Sequence, residues 1–183
     1  MSAAFDDSVA VIIKAANFSA IKHKDGRRKD KEKTPYINHP IGVANLLVTV
    51  GKVTDTEMLV AALLHDTVED TSTTIDEVKQ NFGESVANIV MQVTDDKSLP
   101  KDVRKRLQIE RATSLEPKAR LIRLADKLYN LKDILRQTPE GWSDERVQEY
   151  FQWAAEVVKQ ILGTNEALES QLKDVLLKKG ITI

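Results

Sequence analysis

The sequence contains no cysteine. That excludes disulfides, thiolate metal sites and cysteine nucleophiles, and it fits a reducing compartment. Long hydrophobic runs are also missing: no stretch approaches the roughly 18 apolar residues of a membrane span. The N-terminal "MSAAFDDSVAVIIKAANF" lacks the basic start of a secretory signal, and Lys14 interrupts its apolar part. There is no excess charge of either sign; the formal net charge is −1, so no global basic field exists for gripping nucleic acid. Clean period-two alternation, internal repeats and low-complexity tracts are absent too, which argues against strands and linkers. These absences describe a soluble, cytoplasmic protein with no nucleic-acid and no membrane partner, and they leave the oligomeric state open.

What is present is a helical pattern in 183 residues, 42% of them hydrophobic, enough for one domain with a real core. Residues 8–22 place apolar positions at helical spacing. "NHPIGVANLLVTV" puts Pro40 in a first helical turn, where proline is tolerated. "TDTE" has the form of a capping box with Thr54 as N-cap and Glu57 three residues on, followed by the apolar "MLVAALL". His65 to Asp70 then fall on the last turns of that helix. A second capping box, Thr74 to Glu77, opens a short helix ended by Gly83. "PKARLIRLADKLYNLKDILRQ", residues 117–137, reads as a long amphipathic helix, with Pro117 at its start and "TPEG" after it. Ser143 caps a helix reaching to near Gly163, and a last one runs from near Asn165 to Gly180. The irregular segments are 24–38 and 94–101. The expectation is a single all-α domain over residues 1–183.

Chemistry concentrates in "ALLHDTVEDT", residues 62–71. On one helix, His65 and Glu69 lie above one another, as do Asp66 and Asp70. The four share an arc, while Leu64 and Val68 occupy another that can face the core. Acids at a helix C-terminus oppose the macrodipole unless something positive is near. A divalent cation is one such partner, and a solvated acidic helix end is the plain alternative. Neighbouring His and Asp supply nitrogen and oxygen ligands, which suit Mn, Fe or Zn better than Ca. His39, in "YINHP", and Asp126, in the apolar surroundings of "RLADKLYN", extend the candidate set. A carboxylate at such an apolar position is ion-paired or a ligand, because an unpaired buried charge is costly. His39, His65, Asp66 and Asp126 together make a two-nitrogen, two-oxygen set. A basic cluster, "KHKDGRRKDKEK", occupies residues 22–33, where a solvated loop is the plain alternative.

"LLHDTVEDT", preceded by "PYINHP" and followed by "LADKLYN", resembles the HD-domain metallophosphohydrolases. More narrowly it resembles the hydrolase domain of the RelA/SpoT family, which degrades the alarmone (p)ppGpp. The C-terminal segments "TPEGWSDERVQEYFQWAAEVVK" and "GTNEALESQLKDVLLKKGITI" are similar to small stand-alone animal members of that family. The resemblance implies an HD-domain helical bundle and a Mn2+ cofactor. It implies His39, His65, Asp66 and Asp126 as the metal ligands and Glu69 and Asp70 as the catalytic acidic pair. A carboxylate beside the metal can orient water and take its proton; acids that only tune the field are the alternative. Arg28 and Lys29, in "RRKD", match a segment lying over the nucleotide base, and Arg27 reads as a surface charge. Asn130 matches a nucleoside-pocket position. Tyr36 and Tyr129 can stack, donate a hydroxyl or simply pack. Lys101 and Arg104 can meet a pyrophosphate or remain solvated. His23 reads as a surface residue.

The implied reaction is Mn2+-dependent removal of pyrophosphate from the 3′ position of ppGpp, giving GDP, or of pppGpp, giving GTP. With 183 residues there is no room for a synthetase, so degradation without synthesis is expected. A second substrate stays open. Animal homologues are associated with removing the 2′-phosphate of NADPH, which resembles a 3′-phosphorylated ribose in shape and charge. A non-enzymatic nucleotide sensor is the third possibility; loss of a ligand would be its signature, and no candidate ligand is missing.

Overall fold

A computed structural model describes residues 7–183. The first six residues, which carry part of the signal-peptide argument, lie outside the described residues. Ten helices follow in order: α1 (Asp7–Lys22), α2 (Asn38–Thr49), α3 (Thr56–Leu64), α4 (Thr67–Asp70), α5 (Ile75–Phe82), α6 (Glu84–Val93), α7 (Lys101–Arg111), α8 (Pro117–Arg136), α9 (Asp144–Lys159) and α10 (Glu166–Leu177). A short 3₁₀ turn, Ala112–Ser114, joins α7 to the segment before α8. Among the described residues there is no strand, only an isolated antiparallel bridge between Arg27 and Pro35. The all-α expectation therefore holds.

Two helices organise the bundle. α3 packs against α1, α2, α6 and α8, and α8 packs against α2, α6, α9 and α10. Six of the nine residues of α3 are buried, from Met58 to Leu64. In α8 every residue from Ile122 to Leu128 is buried, so the helix is enclosed all round at its middle. That enclosure traps three charged side chains, Arg123, Asp126 and Lys127, among apolar neighbours. The largest fully buried side chains, including Phe151, Leu47, Leu64, Leu128 and Leu172, fill the space between these layers.

Local signals set most helix ends. Thr74 accepts from the Glu77 N–H, Ser143 from Arg146 and Asn165 from Leu168, each satisfying an orphan donor of a first turn. Gly83 joins α5 to α6 at φ 90°, ψ 167°, a conformation open to glycine and strained for other residues. Other boundaries differ from expectation. Asp55, not Thr54, caps α3, accepting from the Met58 N–H while Glu57 turns out to Ser85 and Lys118. α9 stops at Lys159 and α10 at Leu177, both short of the expected glycines. α6 and α7 match no individual helix expected from the sequence pattern.

The main departure lies after Leu64. The α3 helix ends there, His65 and Asp66 form a turn, and a separate one-turn helix, α4, carries Glu69 and Asp70. The Thr67 hydroxyl takes the Leu64 carbonyl at 2.7 Å, and the His65 Nδ1 faces the Ala62 carbonyl at 2.7 Å. Side chains thus compete with the backbone ladder, and the helix breaks. The second correction is His23. It is 5% exposed and lies against the Tyr36 ring at 4.8 Å, because a Tyr36 N–H to Gly26 carbonyl bond closes the 26–36 loop and brings that ring back to it.

The α2–α8 crossing is set by a glycine. A Cβ at Gly42 would lie 1.9 Å from the Tyr129 ring, whose own face packs on His39 at 5.0 Å. Close approach of the two helices is what brings His39 to Asp126. Gly42→Ala is expected to overpack this contact and cost about 1–3 kcal/mol, roughly 2–12 °C in Tm. Thermal unfolding followed by circular dichroism checks this; an unchanged Tm would show that the crossing tolerates a methyl group.

Candidate metal centre and catalytic cleft

Four side chains from three elements meet beside the middle of α8. His39 comes from the first turn of α2, His65 and Asp66 from the break after α3, and Asp126 from the middle of α8. His39 Nε2 lies 3.2 Å from Asp126 Oδ1 and 3.3 Å from Asp66 Oδ2. His65 Nε2 lies 3.2 Å from Asp66 Oδ1 and 3.9 Å from Asp126 Oδ1. One donor atom each from His39, His65 and Asp126 falls within 4.8 Å of the others, close to the spacing across a single cation with bonds of roughly 2.1 Å. Asp66 lies against both histidines.

The donor set passes a chemical test for a divalent cation. The Ala62 carbonyl only accepts, so His65 Nδ1 carries the proton in that bond and Nε2 is aimed at the acids. His65 Nε2 is buried with no hydrogen-bond partner, and so is His39 Nδ1. An orphaned ring nitrogen facing two carboxylates suits a metal better than a packed core. Burial alone would depress His65, but the charges of Asp66 and Asp126 outweigh it and push its pKa up to about 9. Burial opposes ionisation of Asp66, yet His65 and His39 hold it well below the usual carboxylate range. Asp126 is held low as well, against burial, by Lys127 and the two histidines.

A ring of neighbours orients these candidate ligands. Tyr36 donates its hydroxyl to Asp66 Oδ2 at 2.7 Å. Burial and the Asp66 and Asp70 charges keep that hydroxyl protonated. Asn130 donates to Asp126 Oδ1 at 2.6 Å and accepts from Arg28 at 2.8 Å. Arg28 is in turn paired with Asp133 at 2.9 Å. Lys127 donates to Asp126 Oδ2 at 3.2 Å and lies over the Trp153 ring at 4.3 Å.

Glu69 and Asp70 sit beside this cluster on α4. Burial pushes Glu69 up, against the hydrogen bond from the Asp95 N–H, to about 7. A carboxylate poised near neutrality is suited to exchanging protons with water. A cavity of about 620 Å³ opens here, and its wall includes His39, Asp66, Glu69, Asp70 and Asp126, with His65 behind Asp66. The same wall carries seven cations: Lys29, Lys101, Arg104, Lys105, Arg123, Lys127 and Arg146. A second cavity of about 240 Å³ adjoins it and is lined by Arg28, Lys29, Tyr36, Asn130, Trp142 and Tyr150 among others.

Every candidate named from the sequence therefore lies in or beside one cleft. Lys29, Lys101, Arg104, Tyr36 and Asn130 line the larger cavity, Arg28 the smaller, and Tyr129 packs behind His39. Arg27 is exposed and donates to the Lys24 and Gly26 carbonyls. Sequence reasoning missed Lys127, Asp95, Lys97 and the aromatic wall of Trp142, Tyr150 and Trp153. The burial of Lys127 had a signal, its position beside Asp126 in an apolar helix. The others lie on separate elements that only tertiary contact brings to the cleft.

Comparison with known proteins agrees with this geometry. A family model described as an HD domain matches residues 15–157. A Xenopus tropicalis protein named guanosine-3′,5′-bis(diphosphate) 3′-pyrophosphohydrolase MESH1 is 62% identical over 174 residues, covering 95% of this chain and 97% of that protein. The Homo sapiens MESH1 is 59% identical with the same coverage of 95% and 97%. A solved structure described as a metazoan ortholog of SpoT that hydrolyses ppGpp and plays a role in starvation responses superposes with a TM-score of 0.92, at 47% identity, over 93% of this chain and 96% of that one. No helix among the described residues is long and apolar enough to cross a membrane. The chain belongs to the HD-domain family, within the branch that contains the MESH1 proteins.

Proposed function

We propose that this protein is a Mn2+-dependent 3′-pyrophosphohydrolase of ppGpp and pppGpp. The observation that carries the proposal is the convergence on one cavity of a two-histidine, two-aspartate donor set, an adjacent acid pair and seven cations. His39, His65, Asp66 and Asp126 would hold the cation; a nitrogen–oxygen set of this kind suits Mn2+. Once bound, the cation supplies Lewis acidity at the phosphoryl oxygens and lowers the pKa of a coordinated water. The names of the relatives, which specify the 3′-pyrophosphate of this nucleotide, support the substrate.

The chain's own residues supply the rest. Lys29, Lys101, Arg104 and Arg146 neutralise the polyphosphate in the larger cavity. Arg28, Tyr36 and Asn130 face the nucleoside from the smaller one, with the Arg28 guanidinium already oriented by Asp133. Glu69 accepts a proton from the attacking water as that water adds to the phosphorus next to the ribose 3′ oxygen. The bond from phosphorus to that oxygen breaks, the ribose oxygen takes the proton that Glu69 received from the water, and pyrophosphate leaves. Asp70 lies beside Glu69 and shares in holding the water. Tyr36 fixes the orientation of the Asp66 carboxylate through its hydroxyl bond.

One observation favours a second substrate. The larger cavity also carries Trp142, Tyr150 and Trp153, with Tyr150 centred 5.5 Å and 5.2 Å from the two indoles. A ligand with two ring systems, such as NADPH, finds stacking surface here as well as at Tyr36. Removal of its 2′-phosphate uses the same donors and acids.

Three measurements test these assignments. Chelator-stripped protein is expected to release pyrophosphate from ppGpp only after Mn2+ is restored, and to favour ppGpp over NADPH in kcat/KM; the reverse preference would move the assignment to the dinucleotide. Glu69→Gln is expected to lower kcat by roughly 10²–10⁴-fold with Mn2+ still bound, and Asp70→Asn to lower it as well. Undiminished hydrolysis in both would remove the acid pair from the chemistry. The third concerns pH. In the metal-free protein a proton occupies His65 below about 9 and competes with the cation. Mn2+ affinity should therefore rise by about tenfold per pH unit below that value, with one proton released per ion. Titration calorimetry in buffers of different ionisation enthalpy reads both, and a pH-independent affinity would remove His65 from the ligand set.

A further inference from the structure

Helix α4 alone cannot hold the acid pair in place. It is a single turn, and it sets two carboxylates side by side with Asp66 before them and Asp95 opposite. The compensating groups come from the segment joining α6 to α7. The Asp95 N–H donates to Glu69 Oε2 at 3.0 Å. The Lys97 ammonium bonds Asp70 Oδ1 and stands 3.7 Å from Glu69 Oε1, so one cation bridges both acids. Arg104, in the first turn of α7, lies 3.9 Å from the same Glu69 oxygen.

This segment is an ordered turn. Asp96 Oδ1 accepts from the Ser98 N–H at 2.9 Å and from its hydroxyl at 2.6 Å, and the Leu99 N–H donates to the Asp96 carbonyl at 3.1 Å. Asp95 Oδ2 accepts from Gln108 at 2.6 Å, and the Arg104 Nε donates to the Leu99 carbonyl at 3.3 Å. The turn is thus tied to α7 at two points and presents Lys97 from a fixed direction. The Lys97 side chain is 47% exposed, and exposed ion pairs contribute little to stability. Lys97 does not line the cavity, whereas Lys101, Arg104 and Lys105 do. Neither fold stability nor phosphate binding accounts for where its ammonium is held.

We propose that Lys97 is a positioning residue for the hydrolysis, bridging Glu69 and Asp70 so that both carboxylates stay side by side and turned to the cavity when an anionic phosphate group arrives next to them. This rests on the reading of Glu69 and Asp70 as the acid pair of a phosphohydrolase. Because Lys97 works through the acids, its loss acts on turnover and leaves substrate affinity and the metal ligands alone.

The test uses the full chain loaded with Mn2+, with ppGpp as substrate, in Lys97→Met, Lys97→Arg and Lys97→Met combined with Glu69→Gln. Lys97→Met is expected to lower kcat by about tenfold or more, with KM within about twofold of wild type and with Tm and Mn2+ affinity unchanged. Lys97→Arg should recover most of the loss. The double variant should lose less than the product of the two single losses, since the Glu69 half of the bridge is already gone while Asp70 remains to be held. Full kcat in Lys97→Met overturns the proposal, as does an equal loss in the arginine variant. A rise in KM at constant kcat overturns it too and assigns Lys97 to substrate binding. Wild-type protein inactive on ppGpp overturns the underlying reading and this inference with it.

Discussion

Asp126 carries a carboxylate into the apolar middle of α8, and a buried charge left without partners costs several kcal/mol. The structure offsets that cost from four directions: His39 from α2, His65 after α3, and Lys127 and Asn130 from α8 itself. Each partner imposes a condition. His39 reaches Asp126 only because Gly42 lets α2 close on Tyr129. His65 reaches it only because α3 stops at Leu64 and turns its imidazole inward. Satisfying one charge therefore fixes the relative placement of the three elements that make the candidate metal centre.

The remaining charges follow from that arrangement. Two histidines and two aspartates meet with few other donors, so the ring nitrogens are left partly orphaned and the site favours a cation. The adjoining acid pair adds more negative charge, and the wall answers with cations on α7, α8 and α9. The two signs interleave along the wall, as Lys127 beside Asp126 and Arg104 beside Glu69 show. Glu69, half-enclosed and set among other acids, is poised near neutrality by burial more than by any single partner.

How much of this was legible depended on the range of the interaction. The caps at Thr74 and Ser143 are decided within three residues, and they stood where the pattern put them, whereas Asn165 was placed only as the start of the last helix. The cap of α3 moved by one residue because Asp55 and Thr54 are both competent and only the chain's approach chooses between them. The helix break after Leu64 was hidden because the apolar periodicity continues through Val68, and the Thr67 hydroxyl that interrupts the ladder has no pattern signature. His23 stood among lysines and an aspartate in sequence, yet the 26–36 loop brings Tyr36 over it. Its burial is decided by a residue thirteen positions away.

By itself, the sequence determined the helical class, the residues able to bind a metal and the acids beside them, because each rests on side-chain chemistry or on spacing within one helix. Two histidines, two aspartates and the "ED" pair are fixed as chemical types whatever the fold does with them. Only the tertiary structure decided that they share one cavity, that Asn130 and Arg28 brace each other across it, and that the aromatic wall and the Asp95–Lys97 turn close on it. The physical reason is that these partners lie on different elements. Their meeting depends on how α2, α3 and α8 pack, and no local periodicity encodes the distance between them.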